Sequence, residues 1–384
     1  MKITKVETVH VSLPTRRVHK WTGLTEPIGG YILVKVTGDG GHVGWGEAPV
    51  LKDWGGDHGR YYGETPGTTV HVIERYLGPA AVGADPTNLA DLHRIMDGAI
   101  KGYPYAKAAL DMAAYDLAGR AVGLPVSHLL GGRIRSRVPV THSIGLMSIE
   151  DALPEVAQVV REGIRTIKIK VGVEPARDIE MVRRVRETVG PDVALCVDAN
   201  QGYASPREAI RTLRAMEPYR ILYAEQPVEG VARMAVVAAE LETPVMADES
   251  AWTPQDVLEV IERRAADIVS IYTTKPGGLY RAMQVAAVAG AAGLRCNVNG
   301  SAETGVGNAA NVQFAAAAPA VTLSCVIPVS TPAEHQRGQV AGIYYRDDLV
   351  AQPFRFEDGC VVVPEGPGMG VAVDEAKVAR YRVA

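Results

Sequence analysis

Cysteine is scarce and unpatterned. The 384 residues hold four, Cys196, Cys296, Cys325 and Cys360, with no C-x-x-C spacing. A disulfide framework or a thiolate zinc site is therefore not expected. Three of the four sit inside apolar runs that read as buried strands, where reduced cysteine behaves as a small core residue. No lysine- and arginine-rich run of the kind that tracks phosphates is present, and a net charge of −4 gives no basis for nucleic-acid binding. No G-x-G-x-x-G follows the first strand-like segment and there is no P-loop, so nucleotide binding has no support. The start of the chain alternates in polarity and lacks the continuous apolar stretch of a signal peptide. The most apolar segment, residues 309–321, is interrupted by Asn311, Gln313 and Pro319 and is too short to span a bilayer. These absences predict a cytoplasmic protein with neither a membrane nor a nucleic-acid partner.

What is present points to a large folded core. Hydrophobic residues make up 47% and charged residues 22%, so disorder is not expected. The length suits a barrel plus a smaller companion. Residues 1–13 read as a strand, and residues 31–36 and 42–45 flank Asp39-Gly40-Gly41, a hairpin signal. Two long connections, residues 15–30 and 49–68, are rich in Gly, Trp, Tyr and His, as functional lids often are. Trp21, Trp54, Tyr61 and Tyr62 are candidates to line such a lid, whereas His19 and His58 read as surface histidines. Residues 103–122 carry a helical apolar stripe closed by Gly123 and Pro125. The first domain, residues 1–132, is thus read as α+β.

From residue 138 the texture becomes a regular alternation. Strand-like runs fall at 138–144, 166–171, 193–198, 221–225, 244–248, 267–273, 294–299 and 321–326, with helical segments between them. Thr253 with Pro254 is a good helix start. Eight such strands argue for a (β/α) barrel over residues 133–330 rather than an open sheet. Residues 331–384 break the pattern. Their Asp358-Gly359 signals another hairpin, and the segment most simply packs back on the first domain.

The polar groups that end these runs carry the chemistry. Lys168-Ile169-Lys170, Asp198-Ala199-Asn200, Glu225-Gln226-Pro227, Asp248-Glu249-Ser250 and Lys275-Pro276-Gly277-Gly278 follow one another at about one βα unit. A single Asp or Lys at a strand end is ordinarily an exposed loop residue. Five such groups in register are not explained that way. Three carboxylates brought together repel, and a hard divalent cation, Mg²⁺ or in its place Mn²⁺, is the simplest partner for the oxygen-only set Asp198, Glu225 and Asp248. Such an ion would stabilise the enolate formed when a proton leaves the carbon α to a carboxylate. Lys168 and Lys170 share a strand face, and crowding by Lys168 is expected to depress a neighbouring lysine toward the range of a general base. Lys275 comes from the strand four units further round. Lysines on opposite sides of one carbon suit racemisation or epimerisation, whereas cycloisomerisation needs only one as acid or base.

Taken together, Lys-Ile-Lys, Asp-Ala-Asn, Glu-Gln-Pro, Asp-Glu-Ser and Lys-Pro-Gly-Gly resemble the enolase superfamily, and within it the muconate lactonizing enzyme subgroup. The likeness extends to residues 106–111 and 124–132. It implies a modified (β/α)7β barrel of TIM type with an α+β N-terminal capping domain completed by the C-terminal segment. It also implies Mg²⁺ on Asp198, Glu225 and Asp248, with Lys170 and Lys275 as the acid/base pair and Lys168 assisting electrostatically. Asn200 and Glu303 match supporting or substrate-facing positions, and a homo-oligomer is expected.

Departures narrow the reaction. Cys296-Asn297-Val298-Asn299 stands where mandelate racemase-type members carry a histidine. Residues 324–328 lack the Asp-x-Asp of dipeptide epimerases. Ser301 and Ala302 precede Glu303 where muconate cycloisomerases have a hydrophobic residue. The reading is an enzyme acting on a small carboxylate, first a muconate-type cycloisomerase and second a racemase or epimerase of a small carboxylic or amino-acid derivative. A non-catalytic metal- or metabolite-binding barrel is the reading from outside enzymology.

Overall fold

In this computed structural model, residues 1–57, 60–300, 302–328 and 338–383 are described. The chain opens with an antiparallel sheet of β1 (Ile3–Ser12), β2 (Gly30–Gly38) and β3 (Val43–Pro49), joined in that order. Gly44 and Gly46 on β3 permit its packing. A Cβ at either would collide with the backbone of Ala109 or Ala113. The alanine-rich helix Pro104–Val122 can therefore lie directly on the strand, and residues 105–119 of that helix are all buried. A helix buried on every side needs small residues rather than an amphipathic stripe. Gly123 closes it at φ 74°, the left-handed conformation expected of a C-terminal glycine.

The chain then crosses to a second sheet. Residues 138–144, expected as one strand, are divided at Val140 into β4 (Arg137–Pro139) and β5 (Thr141–Ile144). From β5 the chain continues through β6 (Thr166–Lys170), β7 (Ala194–Asp198), β8 (Ile221–Glu225), β9 (Val245–Ala247), β10 (Ile268–Ile271) and β11 (Arg295–Val298). These seven strands are parallel and neighbour one another in sequence order. Helices between them cover the outside, as βαβ connections require. Thr253 caps the helix Pro254–Arg263 through a capping box, as its sequence predicts.

The expected eighth strand, residues 321–326, is not a regular strand. Its backbone instead makes parallel bridges from Val321 to Cys296 on one side and from Cys325 to Val140 on the other. Val326 N donates to Val298 O at 2.8 Å, and Thr141 N to Cys325 O at 2.8 Å. The segment closes the curled sheet by touching both its edges. The fold is an α/β, (β/α)7β TIM-type barrel with an N-terminal antiparallel cap.

The tail divides its packing between the two parts. β12 (Phe356–Glu357) and β13 (Cys360–Val362) form the hairpin signalled by Asp358-Gly359, but β13 pairs with β4 rather than with the cap. The last residues do return to the cap, where Ser12 N donates to Tyr381 O at 2.9 Å and Val11 bridges Arg382. Cys196, Cys296 and Cys325 are buried free thiols and Cys360 is half-buried. Among the described residues no helix is long and apolar enough to cross a membrane.

Candidate active site

Parallel pairing puts the strand-end side chains level with one another. Lys170 faces Asp198 across the β6–β7 ladder, and Asp198 faces Glu225 across β7–β8. Asp248 follows β9 directly, and Lys275 follows β10 by four residues. The turns after these strands hold Asn200, Gln201 and Gln226 at φ 43°, 64° and 35°. Such backbone is uncommon for residues other than glycine and concentrates at functional sites. It curls Asn200 so that its N–H donates to Asp198 Oδ1 at 2.9 Å. Gln226 turns its side chain to brace the next loop, accepting from Asp248 N at 2.8 Å and Ser250 N at 3.2 Å. Lys275 depends on the glycines after it. Gly278, at φ +130°, leaves the space that Asp111 occupies, and Asp111 accepts from Leu279 N at 2.6 Å to start the helix Leu279–Ala291.

The ammonium groups thread between the carboxylates. Lys168 Nζ lies 2.8 Å from Asp198 Oδ2 and donates to Glu225 Oε1 at 2.9 Å. Lys170 Nζ donates to the same Asp198 Oδ2 at 2.6 Å and to Asn200 Oδ1 at 2.7 Å. Across the barrel, Lys275 Nζ donates to Asp248 Oδ1 at 2.8 Å and to the carbonyls of Asp248 and Ser270 at 2.9 and 2.7 Å. The three lysines and three carboxylates are buried, and Asn200 is half-buried. Burial alone would pull Lys168 down, but the charges of Asp198, Glu225 and Asp248 outweigh it and hold its pKa well above the usual lysine value. Crowding by Lys170 does not win, because both ammoniums share one carboxylate oxygen. Burial likewise opposes the charge on Asp198, yet Lys168 and Lys170 hold it below the usual carboxylate range.

Glu225 goes the other way. Burial, then the charges of Asp198 and Asp248, raises its pKa. Glu249 is raised for the same reasons. Four buried carboxyl groups thus share three ammoniums, and two of the four, Glu225 and Glu249, are pushed toward holding their protons.

Among the described residues no three of His, Cys, Asp and Glu form a group that could hold a metal ion, because the lysine ammoniums stand between the carboxylates. The chemistry of the donors nonetheless fits a hard cation. They are all oxygen, they crowd one another enough to raise Glu225, and Glu225 Oε2 has no hydrogen bond although Lys168 Nζ lies 2.9 Å away.

Residues 3–131 match the mandelate racemase / muconate lactonizing enzyme N-terminal domain, and residues 151–377 match the enolase C-terminal domain-like family. The chain belongs to the enolase superfamily. Among its relatives is N-succinyl-L-Arg/Lys racemase of Bacillus cereus, 31% identical over 382 residues, covering 98% of this chain and 96% of the relative. Muconate cycloisomerase 1 of Rhodococcus opacus is 32% identical over 382 residues, covering 97% and 96%. The crystal structure of 2-chloromuconate cycloisomerase from Rhodococcus opacus superposes with a TM-score of 0.91 at 32% identity, covering both chains completely. These relatives place the chain in the muconate lactonizing enzyme subgroup as an isomerase, which sets aside the non-catalytic barrel.

In this superfamily member the strand ends open into a small cavity. Asn200 lines it with Lys168 and Lys170, and Trp21 and Trp54 come from the two long loops. The Trp21 ring lies 5.7 Å from Lys170 Nζ, and Trp54 Nε1 donates to Glu249 Oε1 at 3.4 Å. Tyr61 instead stacks on Trp252 at 4.7 Å, and Tyr62 is exposed. His19 is not a surface residue. It is 7% exposed and lines the cavity, because the loop that carries it is drawn onto the barrel. His58, Ser301 and residues 329–330 lie outside the described residues. Glu303 is buried beside the cavity behind Gly300 rather than among its lining side chains, and its carbonyl accepts from Asn308 Nδ2 at 2.7 Å.

Sequence reasoning assigned no role to three residues of the site. Asn299 lines the cavity and donates to Glu225 Oε1 at 2.8 Å. Tyr272 lies under Lys275 Nζ, 4.7 Å from the ring centroid. Glu249 accepts from Asn200 Nδ2 at 3.0 Å. Each stands at the end of a barrel strand or in the loop that follows, a placement that could have found them.

Proposed function

We propose that this protein is a Mg²⁺-dependent isomerase that transfers a proton at the carbon α to a substrate carboxylate, and that its reaction is a muconate-type cycloisomerisation. The observation that carries the reading is the level arrangement of Lys170, Asp198 and Glu225 across adjacent strands, with Lys275 and Asp248 paired at the strand ends further round the barrel. Asp198, Glu225 and Asp248 would hold the ion. When bound, Mg²⁺ supplies Lewis acidity toward the substrate carboxylate and competes with the ammoniums for carboxylate charge, so that a lysine gives up its proton more readily.

One of Lys170 and Lys275 then passes the proton between its Nζ and the α carbon, and the other stands toward the opposite face of that carbon. Lys168, held as an ammonium by its three carboxylate neighbours, adds fixed positive charge beside the developing enolate. Asn200 orients Lys170 by accepting from its Nζ, and Glu303 supports the wall behind Gly300.

A second reading, racemisation or epimerisation, is favoured by the presence of both lysines, since a one-base cycloisomerisation leaves the second without a proton to move. Incubation in D₂O separates the two. A cycloisomerase puts deuterium on one face of the lactone product, whereas a racemase washes it into the α position of both stereoisomers. Absence of exchange or lactonisation across dienoates and N-acyl amino acids, with Mg²⁺ present, would sink both.

A further inference from the structure

A carboxylate from the cap sits among the turns that carry the charged groups. Asp57, from the second long loop, is 5% exposed. Its Oδ1 accepts from Gln201 Nε2 at 2.7 Å and from Gly230 N at 3.1 Å, and its Oδ2 accepts from Ser250 Oγ at 2.6 Å. These three donors stand after β7, β8 and β9 in turn. Asp198 and Glu225 end the first two of those strands, and Asp248 follows the third.

The three turns are also joined to one another. Gln201 N donates to Gln226 O at 2.8 Å, and Gln226 Nε2 donates at 2.8 Å to the same Ser250 hydroxyl that Asp57 receives. Gln226 Oε1 in turn holds the backbone N–H groups of Asp248 and Ser250. One carboxylate thus closes a network that runs through all three turns, and the members of such a network support one another.

Charge balance does not account for Asp57. Among the described residues its three donors are neutral, and burial pushes its pKa up against their pull. What a carboxylate offers here is accepting capacity. Its two oxygens take three bonds, where an asparagine would turn a donor toward one of the three.

The same loop reaches the cavity. Trp54 lines it and stacks on Trp252 and Tyr272, with ring centroids 5.2 and 4.9 Å apart. Gly55 and Gly56, between Trp54 and Asp57, let the loop fold on itself, since a Cβ at either would collide with Tyr61. A second tie lies further along, where Tyr61 Oη donates to Asp256 Oδ2 at 2.8 Å and Arg60 pairs with the same carboxylate. That tie is made to the helix Pro254–Arg263, beyond the strand ends.

We propose that Asp57 is a positioning residue that holds the three turns in place and couples the seat of the second long loop to the metal carboxylates. Mg²⁺ binding and the docking of Trp54 then favour one another, and by the same factor, because coupling between two sites is reciprocal. The coupling rests on the metal assignment above and gives that site a link to the loop that covers it.

The test uses the full chain and two measurements. Amide hydrogen exchange read by mass spectrometry, without metal, reports on the turns. Asp57→Ala is expected to speed exchange about tenfold around Gly230, whose N–H loses its acceptor, and around Asp248 and Ser250, which depend on Gln226. Arg60→Ala, which cuts the other tie, is expected to leave the three turns protected. Calorimetric titration with MgCl₂ reports on the coupling. Asp57→Ala is expected to weaken Mg²⁺ several-fold, Asp57→Asn to weaken it less, and Arg60→Ala to leave it unchanged. In the wild type, Mg²⁺ should slow exchange around Trp54, an effect that Asp57→Ala removes. Unchanged exchange at the turns in Asp57→Ala, or a wild type that binds Mg²⁺ no better than Asp57→Ala does, would overturn the proposal. Equal weakening in Asp57→Ala and Arg60→Ala would also overturn it, by showing a general loosening of the loop. A wild type that binds no Mg²⁺ removes the metal assignment and the coupling with it, and the exchange at the turns alone then decides whether Asp57 positions them.

Discussion

Each lysine of the site is defined by the carboxylate it leans on. Removing Lys275 by Lys275→Ala leaves Asp248 buried with a lost counter-charge, and breaking a buried pair from one side costs about 3–5 kcal/mol. The expected result is a lower denaturant midpoint together with a loss of proton exchange of about 10²–10⁴-fold, the usual contribution of a general acid or base. Lys170→Ala, whose partner Asp198 keeps Lys168, is expected to lose exchange to a similar extent with a smaller fall in stability. Equal destabilisation in the two variants would contradict this account of the charges.

Glu47 offers a residue-scale prediction away from the lysines. Burial outweighs its hydrogen bonds from Thr304 and Gly307 and lifts its pKa from the usual 4.5 to about 8. A raised carboxyl pKa means that the folded state holds the proton more tightly. Its stabilising effect is complete below about 4.5 and is lost as pH rises through about 8. Glu64 and Asp348, both raised by burial to about 7, act in the same direction. The melting midpoint should fall from pH 5 to pH 9, and Glu47→Gln should flatten that slope. A slope unchanged in the variant counts against the assignment.

At the scale of elements, the site is held by the way helices begin. The helix Leu279–Ala291 starts on Gly278 and is capped by Asp111, which comes from the long helix of the other domain and also contacts His93 at 2.8 Å. A catalytic strand end is thereby tied to the cap. Asp111→Ala removes that cap and is expected to cost about 1–2 kcal/mol, read from urea unfolding. Gly278→Ala should cost more, since it combines a left-handed backbone with a collision against Asp111. The helix Gly305–Ala317 repeats the device with Glu47 from β3 and Asp348 from the tail at its first turn. Two separated segments again converge on one helix start.

At the scale of the whole molecule, the crowding of buried carboxyl groups that raises Glu225 and Glu249 predicts that Mg²⁺ stabilises the native state. An ion that binds only the folded chain adds about 2.7 kcal/mol at a hundred times its dissociation constant. Thermal unfolding should therefore shift upward with Mg²⁺ concentration, and Asp248→Asn should diminish the shift. A midpoint indifferent to Mg²⁺ in the wild type would argue against the metal assignment.

The sequence by itself determined the barrel and the row of charged groups at the ends of its strands. Both are written in local periodicity. A parallel βα unit repeats at nearly constant length, and side chains at matching strand ends must then come level. It also located Gly123, Thr253 and Asp358-Gly359, whose turn and cap chemistry needs only near neighbours. Only the tertiary structure decided how the barrel closes, since residues 321–328 join both edge strands through isolated bridges that carry no strand periodicity. It alone turned His19 from a surface histidine into a cavity residue and set Tyr344 against it. That outcome depends on Arg16, Arg17, His142 and Glu155 meeting from three parts of the chain, and no one-dimensional pattern records such a meeting.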